Sequence, residues 1–142
     1  MIYIDTNVIG YAIENHPKYG NVCKKVLLDI QEGSIKACSS FLVLIELINV
    51  LSKINRSLPG KRIDIRRSIE AVLSLPFVWL DISTFTIERA SEYTYNVSGA
   101  DYMHIALMEI NMVNSIISAD KELDKVDIIN RIDPLNYDRR SI

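Results

Sequence analysis

Apolar residues follow two rhythms along this chain. Short continuous runs, rich in β-branched residues and closed by a polar residue, read as buried strands at Met1 to Asp5, Ile35 to Cys38, Phe77 to Ile82, Ser115 to Ala119 and, as a last edge strand, Val126 to Ile132. Between them the spacing changes to three and four. Asn21 to Gln31 carries Val22, Cys23, Val26, Leu27 and Ile30 at helical spacing and closes at Glu32-Gly33. Ser39-Ser40 offers an N-cap for a mostly buried helix from Phe41 to Ile54. After an Asn55 to Gly60 turn, Arg62 to Leu75 forms a helix that Pro76 ends, with its apolar face at Ile65, Ile69, Val72 and Leu73. Thr84 to Asn96 reads as an amphipathic helix, and Asp101 to Ile110 as a further one after the Ser98-Gly99 break.

Strands alternating with helices predict right-handed crossovers and a parallel sheet covered on both faces, an α/β fold. In such sheets ligands bind beyond the C-terminal ends of the strands. Asp5 stands at one such end. Asp120 stands at another, at the start of a short helical turn through Leu123.

The sequence has 142 residues, 49% of them hydrophobic, which suits one domain spanning 1–142 with a core that needs no staple. It shows no repeat, linker or low-complexity tract. Cys23 and Cys38 lie outside any metal or redox spacing and in apolar surroundings, as reduced core thiols do, which points to a reducing compartment. The start MIYIDTNVIG lacks the basic region and long apolar stretch of a signal peptide, and the longest apolar run, Phe41 to Ile45, is far too short to span a membrane. A cytoplasmic protein is expected.

A net charge of −2 argues against a cationic coat over the whole surface. The charge is unevenly placed, however. Lys53, Arg56, Lys61, Arg62, Arg66 and Arg67 face one acid, Asp64, a local net of +5. Such a stretch either attracts a polyanion or is a solvated face of two helices.

Glu46 interrupts the run Leu42 to Ile48, and a buried carboxylate without a partner is too costly to be casual. It either needs a partner in the interior or joins Asn49, Lys53 and Arg56 in a polar stripe. Asp5, Asp101 and Asp120 each have an alternative role as helix caps or first-turn acids. What favours a site is the set of four, two of them at strand ends that converge. Clustered carboxylates raise one another's pKa unless a cation compensates, and oxygen-only ligands suit Mg²⁺ or Mn²⁺ rather than zinc. Such an ion activates water and steadies charge on a phosphoryl oxygen, the chemistry of phosphodiester hydrolysis.

Four pieces of sequence resemble the PIN domains, and among them the VapC-type toxins of toxin–antitoxin pairs. These are Asp5-Thr6-Asn7 after the first strand, Ser39-Ser40 leading to Glu46, Gly99 to Ala106 (GADYMHIA), and Ser118-Ala119-Asp120. They run in the family's order over nearly the whole chain. The resemblance implies an α/β/α sandwich, Mg²⁺- or Mn²⁺-dependent cleavage of single-stranded RNA, a homodimer, and a VapB-like antitoxin partner. It makes Asp5, Glu46, Asp101 and Asp120 the catalytic quartet, with Asp5, Asp101 and Asp120 as metal ligands. Thr6 and Ser118 become supporting hydroxyls; the charge pattern, separately, offers Lys53, Arg56, Arg62, Arg66 and Arg67 as the RNA-binding stretch. Ile132-Asp133-Pro134 is similar to the ending of archaeal members, whereas Leu123 departs from the aromatic residue that many relatives carry there.

The remaining candidates are expected to be structural. His104, one turn after Asp101, reads as a core or surface residue, His16 receives no role, and Tyr93, Tyr95 and Tyr102 read as packing. A non-enzymatic RNA-binding module would use the basic stretch and have no need of the acids. A haloacid-dehalogenase-type phosphatase would need a second Asp where Asn7 stands, and a receiver domain an acidic pair and a late strand-end Lys.

Overall fold

The computed structural model describes residues 1–60 and 62–142; Lys61, part of the basic stretch, lies outside the described residues. Five short strands, β1 (Ile2–Ile4), β2 (Ala37–Ser40), β3 (Val78–Leu80), β4 (Ser115–Ile117) and β5 (Asn130–Ile132), form one sheet in the order β3-β2-β1-β4-β5. Every pairing is parallel. The three central strands are buried almost throughout, as expected of a sheet covered on both faces.

Among the described residues six helices cover the sheet: α1 (Thr6–Glu14), α2 (Gly20–Gln31), α3 (Phe41–Ser57), α4 (Ile65–Leu73), α5 (Thr84–Ser91) and α6 (Gly99–Ile110). The crossovers from β1 to β2 and on to β3 move one way along the sheet. The return to β4 moves the other way, so right-handed connections put α1 to α4 on one face and α5 with α6 on the other. The packing agrees, with α1 against α2 and α3, α3 against α4, and α5 against α6. β1 is therefore the topological switch point, and a crevice opens where the chain leaves β1 and β4 on opposite sides.

Ile2, Tyr3, Ile4, Val8, Ile9, Leu47, Leu51, Leu107, Ile116 and Ile117 fill the core. Each large side chain buried there stabilises the fold by roughly 1.5–3 kcal/mol before chain entropy is counted. No helix among the described residues is long and apolar enough to cross a membrane.

Several local expectations shift: the helix read from Thr84 to Asn96 ends at Ser91, the one read from Arg62 to Leu75 spans Ile65–Leu73, and the last strand narrows to Asn130–Ile132. The helix that Asp5 caps runs from Thr6 to Glu14, an extent that the sequence reading did not give; its Val8, Ile9 and Ile13 are indifferent helix formers, and burial of Val8, Ile9 and Ala12 against the neighbouring helices decides its shape. The helix read from Asp101 begins earlier, at Gly99, with Ser98 as its N-cap, so Asp101 sits in the first turn and is not the cap.

Candidate active site

Asp5 caps α1 directly at the end of β1 and is nearly buried. Its Oδ1 accepts the Thr6 backbone N–H at 2.7 Å, and its Oδ2 accepts Asn7 Nδ2 at 3.0 Å and the Ser118 hydroxyl at 2.6 Å. Burial raises its pKa, and the charge of Glu46 adds to the rise. The charge of His104 and the Ser118 and Thr6 hydrogen bonds oppose it.

Ser118 joins the ends of β1 and β4. Its hydroxyl donates to Asp5 while accepting Asn7 Nδ2 at 3.1 Å and the Asp120 backbone N–H at 3.0 Å, which saturates one donor and two lone pairs. Asn7 completes the link by accepting the Ala119 N–H at 3.1 Å. Asp120 caps the short 3₁₀ turn Lys121–Lys125, and its Oδ1 accepts the Glu122 N–H at 3.0 Å. Asp101 accepts the Ser98 hydroxyl at 2.9 Å. Burial also raises the pKa of Asp101, the Asp120 charge pushes the same way, and the Ser98 hydroxyl and His104 oppose. Capping and site geometry thus coexist in these acids.

Glu46 has the partner its apolar setting demands. Its Oε1 accepts the Thr6 hydroxyl at 3.1 Å and meets His104 Nε2 at 2.5 Å. On the other side of the imidazole, Nδ1 lies 2.7 Å from the buried Tyr3 hydroxyl, which donates to Ser40 at 2.9 Å. One contact on each ring nitrogen thus ties His104 to Glu46 on α3 and to Tyr3 on β1. Burial alone would lower its pKa. The Glu46 hydrogen bond and the charges of Asp5, Glu46 and Asp101 outweigh burial and raise it. The rest of the polar stripe, Asn49, Lys53 and Arg56, stays in solvent.

Asp5, Glu46 and Asp120 are therefore joined by explicit hydrogen-bonded links through Thr6 and Ser118, and Asp101 is coupled to Asp120 by charge. Sequence reasoning missed His104, Tyr3, Ser40 and Asn7 as parts of this network. The available signal was the three-residue spacing of Asp101 and His104, which puts both on one helix face. The basic stretch behaves differently. Arg66 pairs with Glu70, and Arg67 borders a groove between α1, α2 and α4; no hydrogen bond or ion pair among the described residues links Lys53, Arg56, Arg62, Arg66 or Arg67 to the acids.

Among the described residues no three His, Cys, Asp or Glu side chains form a closed metal-binding set. The donor chemistry nonetheless fits a hard divalent cation. Asp5, Asp101 and Asp120 offer only oxygens, and two of the three have raised pKa values that a cation would relieve.

Three solved structures share the architecture. The VapBC2 complex of Rickettsia felis bound to a DNA fragment from its promoter matches with a TM-score of 0.67 at 18% identity, covering 93% of this chain and 98% of that one. A toxin–antitoxin complex of Klebsiella pneumoniae matches with a TM-score of 0.65 at 14% identity, over 94% and 98% of the two chains. FitAcB of Neisseria gonorrhoeae matches with a TM-score of 0.58 at 16% identity, over 96% and 100%. No curated protein matches the sequence. At these identities the structures speak for the fold, and the sequence itself decides the family. The PIN domain family model matches residues 2–129, so this chain belongs to the PIN domain family, whose members are generally divalent-metal-dependent nucleases.

Proposed function

We propose that this protein is an Mg²⁺- or Mn²⁺-dependent endoribonuclease that hydrolyses single-stranded RNA and serves as the toxin of a toxin–antitoxin pair. The observation that carries the reading is the bridge from Asp5 through Ser118 to Asp120, which gathers acids from β1 and β4 at the switch point of a PIN fold. Asp5, Asp101 and Asp120 would hold the cation. When bound, it would supply Lewis acidity to the phosphate and lower the pKa of water.

The chain's own groups do the rest. Ser118 and Asn7 fix the orientation of the Asp5 carboxylate, and Thr6 and His104 fix that of Glu46. Only Oε1 of Glu46 is engaged by these two partners, which suits Oε2 to orient or accept a proton from the attacking water. The basic stretch would hold RNA phosphates away from the scissile bond, with Arg62, Arg66 and Arg67 exposed for the purpose.

Two apolar surfaces favour the expected partners. A groove of about 840 Å³ between α1, α2 and α4 is lined by Ile13, Leu27, Leu28 and Leu75, with Lys24 and Arg67 at hand; it suits an apolar, acidic segment of a VapB-like antitoxin. The stripe Phe41, Ile45 and Ile48 on α3 is exposed, and Phe41 stacks on Trp79; it suits a second copy of this chain. The deciding experiment is Mn²⁺-dependent cleavage of a mixed single-stranded RNA pool by wild type and Asp101→Asn. Cleavage that collapses in a folded variant supports the reading, and undiminished cleavage defeats it.

A further inference from the structure

We propose that the turn joining α1 to α2 is a stacking platform for an unpaired base of single-stranded RNA, set beside Asp120; this rests on the nuclease reading above. Three rings gather there without a part in the acidic site. Tyr11 and Tyr19 stack with centroids 5.2 Å apart at 18°, and His16 lies 4.4 Å from Tyr11 and 5.5 Å from Tyr19. All three are half-buried, and the Lys18 ammonium lies 5.3 Å from the Tyr19 ring centre.

The turn is rigid. Asn15 takes a left-handed conformation with φ of 54°, and His16 Nδ1 accepts the N–H groups of Lys18 and Tyr19 at 3.1 and 3.2 Å. A Cβ on Gly20 would sit 3.0 Å from the Asn15 carbonyl carbon, so the turn backbone would have to give by a few tenths of an ångström to admit a side chain there. The rings are thus held in place before any ligand arrives, which lowers the ordering cost of binding.

Position relates the platform to the acids. Asn7 touches Ala119, the residue before Asp120, and Tyr11 follows Asn7 by four residues on the same face of α1. Burial raises the pKa of the Tyr11 hydroxyl, and Glu14, Tyr19, Cys23 and Asp120 add to the rise, so Asp120 is within electrostatic reach of that ring. Between Glu14 and Lys25 the sequence carries three lysines against one acid. Rings for bases and cations for phosphates are the combination that holds single strands with little sequence preference. Lys18 is free to leave the Tyr19 face for a phosphate when a base takes its place.

The test is binding of a short single-stranded RNA carrying 2-aminopurine, in EDTA so that cleavage does not intervene. Tyr19→Leu should weaken binding by about 5- to 100-fold and abolish fluorescence quenching, while Tyr19→Phe retains both. A folded Tyr19→Leu protein that binds and quenches like wild type overturns the proposal. So does an equal loss in Tyr19→Phe, which would implicate the hydroxyl and not the ring. Should Tyr19→Leu fail to fold, ultraviolet crosslinking of the wild type decides: adducts at Tyr11, His16 or Tyr19 support the platform, and adducts confined to other regions overturn it. If wild type cleaves RNA, Asp101→Asn does not, and Tyr19→Leu binds normally, the platform falls and the nuclease reading stands. If wild type neither binds nor cleaves RNA, both fall.

Discussion

His104 on α6 and Glu46 on α3 meet at 2.5 Å across the end of the sheet, joining helices from its two faces through one side-chain contact. The histidine is 3% exposed and the glutamate 29%, so the pair is shielded enough to matter.

The first prediction follows from the sign of that coupling. The folded-state pKa of His104 is raised, so its contribution to stability is fully present below the unfolded value of about 6.5 and is lost as pH rises through the folded value. His104→Gln should cost on the order of 3 kcal/mol at acidic pH, a fall in Tm of roughly 10 °C. Melting curves from pH 5 to 9 should show the gap narrowing as pH rises. A gap independent of pH would mean that His104 is held as a neutral ring.

Asp101 should respond to pH in the same direction, but its replacement should have the opposite effect on stability. Its folded pKa is raised, so stability is lost as pH climbs from the ordinary carboxylate value through the folded one, and at neutral pH the ionised form is a liability. Asp101→Asn should therefore melt higher than wild type in EDTA. Mn²⁺ at a hundred times its Kd should stabilise wild type by about 2.7 kcal/mol and the variant by less. Equal responses to Mn²⁺ would remove Asp101 from the ligand set.

Replacing Arg62, Arg66 and Arg67 together with Ala should weaken RNA binding and flatten the log–log salt dependence by about 0.7 per lost phosphate contact. Affinity measured across a salt series checks this. An unchanged slope would return these residues to the solvated surface or to the antitoxin groove.

Ile45 is 59% exposed on the α3 stripe, so Ile45→Lys should leave stability within about 0.5 kcal/mol. If this stripe pairs two copies, sedimentation should shift from dimer to monomer. A variant that remains dimeric would place the interface elsewhere.

The strand ends were legible because each strand is a short apolar run that stops at an acid or a serine, and parallel topology sends those ends to one edge. Glu46 was legible as a residue in need of a partner. Its partner was not, since His104 lies 58 positions away on the opposite layer, and no local pattern records which helices face each other across a sheet. The extent of α1 was hidden for a related reason. Its residues favour no particular local conformation, and contacts with α2 and α3 choose for them. The platform rings escaped notice because Tyr11, His16 and Tyr19 have irregular spacing and are brought together only by the tight turn at Asn15 and Gly20.

The strand order has a temporal meaning. β1 leaves the ribosome first, yet its neighbour β4 and the acid behind it come from residues 115–120, after α1 to α6 have been made. Until that segment emerges, Asp5 has no Ser118 to bind and faces no Asp120. If the nuclease reading holds, the acid set is completed only when this segment emerges, so most of the chain is made before it could act on the message that encodes it.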